Sequence, residues 1–329
     1  MAVNAVNTPP LDAGTAVLAD WLELTAFFDI RTRARMDDID NAFAIQDQEA
    51  ANDDGEADAA REDRRARIEA EIAERTARLA DTYPFELSSD GEELLLKPRQ
   101  QLSNAAFYLL CLIFSHATKS AILEKTPSAR ALALARRRHF QILSTLAVAG
   151  HIGGPALSFG WPRKGGETIV QAIERACLLS GAGTVRNPPG PVASKFAKDG
   201  GIDVIAWRPA VNDAPPPAEM CFGQAASGHG WRDKNAPDEI PDFYESFYLD
   251  RPPTNTVGVT IIPFRLQPDD HATYGYRHGH ILDRLRTPRA ALEGLQLARR
   301  YGVIVDDVED VGILGRWILN YRSQVRHAA

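Results

Sequence analysis

Three polar residues in the second half of the chain have the types and spacing that phosphodiester cleavage needs. Asp203 lies at the start of a short apolar run, two residues after a pair of glycines, and Gln224 ends the next such run. A carboxylate and an amide oxygen at adjacent strand ends could hold Mg²⁺, which polarises a scissile phosphate and lowers the pKa of a bound water. Lys234 could then stabilise the negative charge that develops on the phosphate. We therefore expect a metal-dependent cleavage site around Asp203.

A wider set of polar side chains could complete this site. Glu174 lies in the helix predicted before the first strand and could supply a third oxygen to the metal. The candidate metal ligands are therefore Asp203, Gln224 and Glu174. Lys234 joins them as the candidate catalytic cation. Three further residues are candidate phosphate contacts: His229, Arg232 and Lys198.

The order of these motifs resembles the PD-(D/E)XK nuclease superfamily, and most closely its Mrr-like restriction endonuclease branch. In that branch a helix glutamate is followed by Gly-Gly-x-Asp on one strand and by Gln-x-Lys on the next. Glu174 matches the helix acid, Asp203 the metal-binding aspartate, and Gln224 the glutamine found in place of glutamate. The resemblance covers residues ~165–285, about a third of the chain.

The resemblance implies a fold, a substrate and a cofactor. The fold would be α/β (α+β), with a mixed central sheet flanked by helices as in restriction endonucleases. The activity would be Mg²⁺- or Mn²⁺-dependent cleavage of DNA by an endonuclease, in bacterial restriction or anti-phage defence. DNA is then the expected partner, and a partner protein of a defence operon or a second copy of the chain could join it.

One position departs from the family pattern. Gln224 is followed by Ala225 and Ala226, so the lysine expected two residues on is missing. Lys234, ten residues after Gln224, is the expected replacement, and His229 is the second choice. Should neither reach the site, the domain would be a non-catalytic nucleic-acid-binding or scaffold subunit of a defence complex, with a degenerate nuclease fold.

Simpler interpretations exist for several of these motifs. Gly-Gly-x-Asp before a strand is also a common turn, in which the aspartate caps its own backbone. His271, His278 and His280 could chelate zinc, but a surface loop is the favoured interpretation. The arginines at residues 136–138 could contact phosphates, although a solvated helix face is favoured there.

Composition limits the class of protein. The net charge of −7 argues against a histone-like coat on DNA, although it allows an enzyme with a local basic cleft. The three cysteines are widely spaced, which excludes a disulfide framework and a cysteine zinc site and favours a reducing cytoplasm. The longest apolar run has ten residues, whereas a membrane-spanning helix needs about 20. We therefore expect a cytoplasmic globular protein.

The first half of the chain is expected to form a mainly α-helical domain over residues 1–155. A small hairpin is predicted near 85–97, because Asp90-Gly91 is a favoured two-residue turn. Apolar spacing predicts the main helices near 15–29, 103–122 and 128–149. This domain would recognise DNA or a partner protein.

Two charged segments of this domain are expected to face solvent. Residues 36–60 are acidic and poor in large apolar groups, which favours a solvated linker. Residues 59–81 consist mostly of Ala, Glu and Arg, which predicts an exposed helix held by ion pairs between residues four apart.

A stretch rich in glycine and proline, residues 151–162, predicts a domain boundary. The second domain, residues 156–329, would be the restriction-endonuclease-like one. Short apolar runs bounded by Gly or Pro predict its strands at 201–207, 220–224 and 257–264. Helical spacing predicts its helices at 167–179, 288–300 and 308–324.

Overall fold

The structure is a computed structural model, and it describes residues 5–46, 54–98, 104–118, 122–161, 163–191, 193, 200–210 and 214–327. The chain forms two compact units, each of which is described by itself. Unit 1 comprises residues 1–129 and 314–329, and unit 2 comprises residues 130–313. The sequence predicts one boundary at 155–156, whereas the compact units divide the chain at 129–130 and at 313–314.

Unit 1 combines helices with a small antiparallel sheet. Its helices are α1 (Thr15–Phe28), α2 (Asp37–Gln46), α3 (Asp54–Leu79), α4 (Ala106–His116) and most of α11 (Gly312–His327). Its sheet has the order β1-β3-β2, with β1 (Arg33–Arg35), β2 (Phe85–Leu87) and β3 (Glu93–Leu96). The helix predicted over 15–29 and the hairpin predicted over 85–97 are confirmed.

The acidic segment over 36–60 is not a linker throughout, and that prediction was wrong. Helix α2 begins within it and buries Ile39 and Phe43. Arg64 of α3 forms an ion pair with Asp40, and its guanidinium carbon lies 4.7 Å from the centre of the Phe43 ring. The reason is that two apolar side chains about one helical turn apart give an otherwise polar segment one face to bury.

Helix α3 confirms the helix predicted over 59–81 and its ion pairs between residues four apart, but one face of the helix is buried rather than exposed. Ile68 and Ile72 are buried along one of its faces. The same face carries Arg75, whose side chain has no exposed surface and pairs with three carboxylates at 2.7–2.9 Å. We call Arg75 and these acids the buried arginine network; the acids are Asp20, Glu23 and Glu71.

Five strands in the described part of unit 2 form one mixed sheet, in the order β10-β9-β7-β6-β4. They are β4 (Ala156–Ser158), β6 (Val204–Arg208), β7 (Glu219–Ala225), β9 (Asn255–Ile261) and β10 (His280–Leu282). Strands β4, β6 and β7 run antiparallel to one another, whereas β7, β9 and β10 are parallel. A separate two-stranded ladder joins β5 (Thr184–Val185) to β8 (Tyr248–Asp250). The strands predicted over 201–207, 220–224 and 257–264 are confirmed.

Helices cover both faces of the mixed sheet, as predicted for a mixed α/β fold. Helices α7 (Ile169–Ser180) and α8 (Ala236–Phe247) pack on the face that carries Ile205 and Phe222. Helix α6 (Phe140–Ile152) lies on the other face, where Val148 approaches Gly223, and α10 (Thr287–Tyr301) packs against α6. Unit 2 also contains most of α5 (Ala129–Leu134), a π-helical turn (Ala135–His139), α9 (Pro268–His278) and three short 3-10 helices: Lys164–Gly166, His229–Asp233 and Val308–Asp310. No helix in the described ranges has both the length and the apolar character needed to cross a bilayer.

Helices α6 and α10 approach each other closely at two glycines. A Cβ atom on Gly294 would lie 2.0 Å from the carbonyl oxygen of Leu146, and one on Gly150 would lie 2.0 Å from that of Ala290. Gly294→Ala is therefore expected to lower the free energy of unfolding by about 2–3 kcal/mol, because backbone must move to admit the methyl group. Urea unfolding followed by circular dichroism measures this difference.

Gly275→Ala is the matched control for this substitution. Gly275 lies inside α9, and a Cβ atom built on it has no neighbour within 4 Å. We expect this control to match or slightly exceed the wild-type stability, since alanine favours a helix over glycine by about 0.5–1 kcal/mol. Wild-type stability of Gly294→Ala would contradict the close crossing of α6 and α10.

Candidate functional site

Asp203 and Gln224 face each other across strands β6 and β7. The register pairs Val204 with Gly223, so the next position places Asp203 opposite Gln224. Residues directly opposite in an antiparallel pair point to the same face of the sheet. One carboxylate oxygen of Asp203 also accepts a hydrogen bond from the backbone N–H of Ala225 at 2.8 Å. The two residues that the sequence singles out are therefore neighbours, and we call them the Asp203–Gln224 pair.

The side-chain amide of Gln224 is buried, and only one of its two polar atoms has a hydrogen-bond partner among the described residues. Gln224 is 5% exposed, and its Nε2 donates a hydrogen bond to the carbonyl oxygen of Gly201 at 2.9 Å. Its Oε1 is buried and accepts no hydrogen bond from the described residues. A buried acceptor without a partner costs about 1–3 kcal/mol. This buried oxygen could therefore accept a hydrogen-bond donor or a cation.

The glycines ahead of Asp203 have a structural role of their own. Gly200 and Gly201 have φ angles of +61° and +81°, in the left-handed region that favours glycine. A Cβ atom on Gly201 would lie 2.8 Å from the carboxylate of Glu239 in α8, and one on Gly200 would lie 2.9 Å from the ring of Phe243. The glycine pair thus lets the chain pass close to α8 before it enters β6 at Asp203.

Glu174 is not joined to this pair. It lies exposed on α7, and within the described ranges no hydrogen bond or ion pair connects it to Asp203 or Gln224. The next residue on the helix, Arg175, is the one that points toward other charged groups. The described residues contain no cluster of three or more His, Cys, Asp or Glu side chains that could hold a metal. The pair itself offers a cation the oxygens of one carboxylate and one amide.

The predicted phosphate contacts lie beside other elements. Arg232 donates to the hydroxyl of Tyr274 in α9 at 2.7 Å. The ring of His229 lies 4.9 Å from the ring of Phe264. Both residues belong to the short turn His229–Asp233 that follows β7.

Lys234 comes directly after that turn and is exposed to solvent. Among the described residues, no hydrogen bond or ion pair links it to Asp203 or Gln224. Lys198 lies outside the described residues. The structure therefore brings together two members of the predicted set, Asp203 and Gln224, and places Glu174 and Lys234 at exposed positions.

The three histidines of the predicted zinc alternative have separate surroundings. His278 is fully buried, and burial lowers its pKa. His280 lies 2.9 Å from His151, measured between ring nitrogens, and the Nε2 of His271 lies 3.2 Å from the carbonyl oxygen of Ile281. These contacts favour structural roles for the three residues.

A second group of polar side chains, which sequence analysis does not identify, lines a cavity of about 650 Å³ in unit 2. We call it the charged cavity. Its polar wall includes Arg137, Arg138, Gln141, Arg175, Asp306 and Asp307. Only two sequence signals point to it, namely the run of arginines at 136–138 and the pair of aspartates at 306–307.

One side of the charged cavity is fixed by Arg175. Its guanidinium donates to both carboxylate oxygens of Asp306, at 3.0 and 2.9 Å, and also pairs with Glu167 at 3.3 Å. Burial by itself lowers the pKa of Arg175, but hydrogen bonds to the two acids outweigh it, and the pKa is raised. Asp306 also accepts from the backbone N–H of Ser158 at 3.0 Å, which ties this ion pair to the end of β4.

The other side is fixed by Arg138. It pairs with Asp307 at 2.8 Å and also with Asp310. Burial lowers the pKa of Arg138, yet its hydrogen bonds to these acids leave the pKa above its ordinary value. Asp307 is 3% exposed, and its Oδ2 is buried with no hydrogen-bond partner in the described part of the chain. Its backbone is left-handed, with a φ angle of +68°.

Gln141 connects the charged cavity to the strand that carries Asp203. Its Nε2 donates to the hydroxyl of Ser158 at 3.1 Å and to the backbone carbonyl oxygen of Asp203 at 2.6 Å. A Cβ atom on Gly160 would lie 2.3 Å from the Oε1 of Gln141, so only glycine fits there without movement. The same amide therefore supports one wall of the cavity and the entry into β6.

The Asp203–Gln224 pair and the charged cavity each combine, among the described residues of unit 2, a buried polar atom that lacks a partner with charged neighbours. Sequence analysis identifies the pair, whereas the cavity depends on contacts between distant segments. No protein-family model, no curated protein and no solved structure matches the chain.

Proposed function

We propose that unit 2 is a metal-dependent DNA endonuclease with a restriction-endonuclease-like, Mrr-type fold, acting in bacterial restriction or anti-phage defence. The observation that carries the proposal is the Asp203–Gln224 pair. A carboxylate and a buried amide oxygen without a partner face the same side of two neighbouring strands. The resemblance assigns metal binding to these two positions.

The oxygens of the pair fit a hard divalent cation. Mg²⁺ is commonly held by one or two carboxylates and keeps several of its waters, and Mn²⁺ accepts similar ligands. Asp203 would supply the charge, and the Oε1 of Gln224 would gain the partner that it lacks. When bound, the ion would polarise the scissile phosphate and lower the pKa of the attacking water. Asp203 is also held in place by the N–H of Ala225, so it is pre-oriented.

For the cation that stabilises the phosphate we propose Lys234. It is the last lysine in the chain and follows β7, the strand that ends beside Gln224. A substrate phosphate lying over the strand ends would attract an exposed ammonium group at this position. Arg232 is less suited to the role, because its guanidinium already donates to Tyr274 and lies 5.0 Å from the centre of that ring.

Lys234→Met is expected to lower the DNA cleavage rate at least about a hundredfold while DNA binding changes little, since one cation at the transferring phosphate contributes a few kcal/mol to the transition state. Single-turnover cleavage and an electrophoretic mobility assay measure the two quantities. Arg232→Met and His229→Ala are the control variants and are expected to cleave at near the wild-type rate. If Lys234→Met cleaves normally and one control variant cleaves slowly, the residue replaced in that control, and not Lys234, stabilises the phosphate.

A non-catalytic nucleic-acid-binding or scaffold subunit is the second candidate function. The observation that favours it is the exposed position of Lys234, which has no bond to Asp203 or Gln224 among the described residues. A fold that kept its strands but lost its catalytic cation would bind DNA without cutting it. In either case we propose that unit 1 contacts DNA or a partner protein.

A plasmid assay on the full chain separates these functions. Purified protein is incubated with supercoiled plasmid in buffers that contain MgCl₂, MnCl₂ or EDTA. Nicked or linear products with either metal, and none with EDTA, support the endonuclease. A mobility shift of DNA without products in any buffer supports the non-catalytic subunit. The absence of both cleavage and binding overturns the two proposals together.

A further inference from the structure

Two charged side chains of the cavity have groups that lack a protein partner among the described residues. The first is the guanidinium of Arg137, which is exposed. Only its Nε is bonded within the described residues, by a 3.4 Å hydrogen bond to the carbonyl oxygen of Ala133. The second is the Oδ2 of Asp307, which is buried without a donor. A guanidinium only donates hydrogen bonds and an ionised carboxylate only accepts them, so an anionic group could replace water around Arg137 and a donor could pair with Asp307.

Asp307 combines two unfavourable features at one position. An unsatisfied buried oxygen costs about 1–3 kcal/mol, and a non-glycine residue in the left-handed region also adds strain of about 1–3 kcal/mol. Its second oxygen is already used by Arg138. Strained residues and buried polar groups without a partner cluster at active sites and ligand-binding sites. Asp307 lies on the cavity wall, so the ligand would be in the cavity.

The arginines of the cavity lie on an irregular helical turn. Residues 135–139 form a π-helical turn between α5 and α6, although no proline occurs there. Such turns are rare, and they occur frequently at functional sites. The turn carries Arg137 and Arg138 to the same wall as Asp307. Backbone irregularity is thus found on both segments that meet across the cavity.

The charges of the wall decide what class of ligand fits. The described residues that line the cavity include three arginines and four acidic residues, so acids are in excess by one. A purely anionic ligand would increase that excess, and a purely cationic ligand would provide no anion to pair with the exposed Arg137. A ligand with one group of each sign satisfies both, because opposite charges attract at each end.

We propose that the charged cavity binds a zwitterionic ligand of the amino-acid or short-peptide class, with its carboxylate on Arg137 and its ammonium group on Asp307. A volume of about 650 Å³ falls within the usual range of small-molecule sites, about 300–1,000 Å³. Apolar surface for a side chain is supplied by Leu134, which is 56% exposed, and by Val305. This site is separate from the Asp203–Gln224 pair and does not depend on nuclease activity.

Thermal shift and calorimetry on the full chain test the proposal. The probes are each standard L-amino acid and a set of glycyl dipeptides. At least one is expected to raise the melting temperature and to bind in the calorimeter. Its N-acetyl derivative lacks the ammonium group and its amide derivative lacks the carboxylate, so each should bind at least about tenfold more weakly, as expected for the loss of one charged hydrogen bond. Inorganic phosphate and AMP complete the set as purely anionic probes.

Two variants locate the ligand. Arg137→Gln and Asp307→Asn are each expected to weaken binding at least about tenfold. Asparagine tolerates the left-handed backbone, so the second variant should keep the fold. Arg300→Gln, at an exposed position near the end of α10, is the control and should bind like the wild type.

Three results would overturn the proposal. The first is that no amino acid or dipeptide binds. The second is binding that survives both variants, which would place the ligand elsewhere. The third is tight binding of AMP or phosphate that Arg137→Gln removes, which would show an anion site. Because the derivatives alter the ligand and leave the protein unchanged, they decide the outcome even if a variant fails to fold.

Discussion

Asp203→Asn is expected to lower the rate of metal-dependent DNA cleavage by at least about a thousandfold, or about 4 kcal/mol in the activation free energy. The substitution removes the only carboxylate of the Asp203–Gln224 pair and with it the charge that would hold a divalent cation. Asparagine keeps an oxygen of the same reach, so the hydrogen bond from Ala225 can be retained. Single-turnover cleavage of plasmid DNA with saturating MgCl₂ measures the rate.

Two controls separate lost chemistry from lost structure. Asp270→Asn makes the same change at an exposed position in the first turn of α9, and it should cleave like the wild type. The urea unfolding midpoint of Asp203→Asn should stay close to that of the wild-type protein. Cleavage by Asp203→Asn at the wild-type rate would mean that the phosphodiester site lies elsewhere in the chain.

The strands that carry this pair could be predicted because each is a short apolar run between glycines or prolines. The proline-rich loop at residues 208–218 indicates a hairpin or an edge connection, and the structure pairs the two strands that it joins as antiparallel neighbours. Alternation of side chains along a strand then places residues at every second position on one face. Local sequence patterns therefore predict that Asp203 and Gln224 lie next to each other.

Helix α8 could not be predicted, because prolines obscure its pattern. Pro237 lies in the first turn, where no intrahelical amide bond is lost, and Pro241 lies inside the helix. The side chain of Asn235 caps the helix by accepting from the backbone N–H of Asp238. Burial of Phe243 and Phe247 against the sheet stabilises the helix in spite of Pro241. Tertiary packing overrides local propensity here.

The charged cavity could not be predicted from the sequence either, but for a different reason. Arg175 and Asp306 are 131 positions apart, and Arg138 and Asp310 are 172 apart. No periodicity encodes such pairs, and a run of arginines on a helix normally predicts a solvated face. Helix α7 was predicted correctly. However, the position of residues 304–307 beside β4 decides whether Glu174 or Arg175 of this helix meets a charged partner.

Replacing Arg75 with methionine is expected to lower the free energy of unfolding by about 3–5 kcal/mol, the usual loss when one partner of a buried ion pair is removed. The guanidinium of Arg75 has no exposed surface and donates to Asp20 at 2.7 Å and to Glu23 at 2.8 Å. It also pairs with Glu71 at 2.9 Å and donates to the carbonyl oxygen of Ala16 at 3.0 Å. Methionine fills a similar volume but removes the cation that pairs with the buried Glu23 carboxylate. Urea unfolding of the full chain measures the loss.

Arg78→Met is the matched control, because it makes the same substitution one turn further along α3. Arg78 is 44% exposed in its side chain and pairs with Glu74 four residues earlier, at 2.9 Å. An exposed pair of this kind contributes about 0.3–0.5 kcal/mol, since solvent screens the charges. The two variants therefore differ mainly in burial. An equal loss in both would mean that the buried arginine network contributes no more than a surface ion pair.

A double variant tests whether the loss comes from an uncompensated buried charge. Glu23 accepts hydrogen bonds from the hydroxyls of Tyr83 and Tyr108, both at 2.7 Å, and glutamine can accept at least one of them in its place. Adding Glu23→Gln to Arg75→Met is therefore expected to restore about 1–2 kcal/mol, because it removes a negative charge that has no counter-ion and keeps the shape of the side chain. In the wild-type background the same Glu23→Gln should destabilise, since it removes one partner of Arg75. A loss of equal size in both backgrounds would show that the charges of Arg75 and Glu23 are not coupled, and that packing alone explains the effect of Arg75→Met.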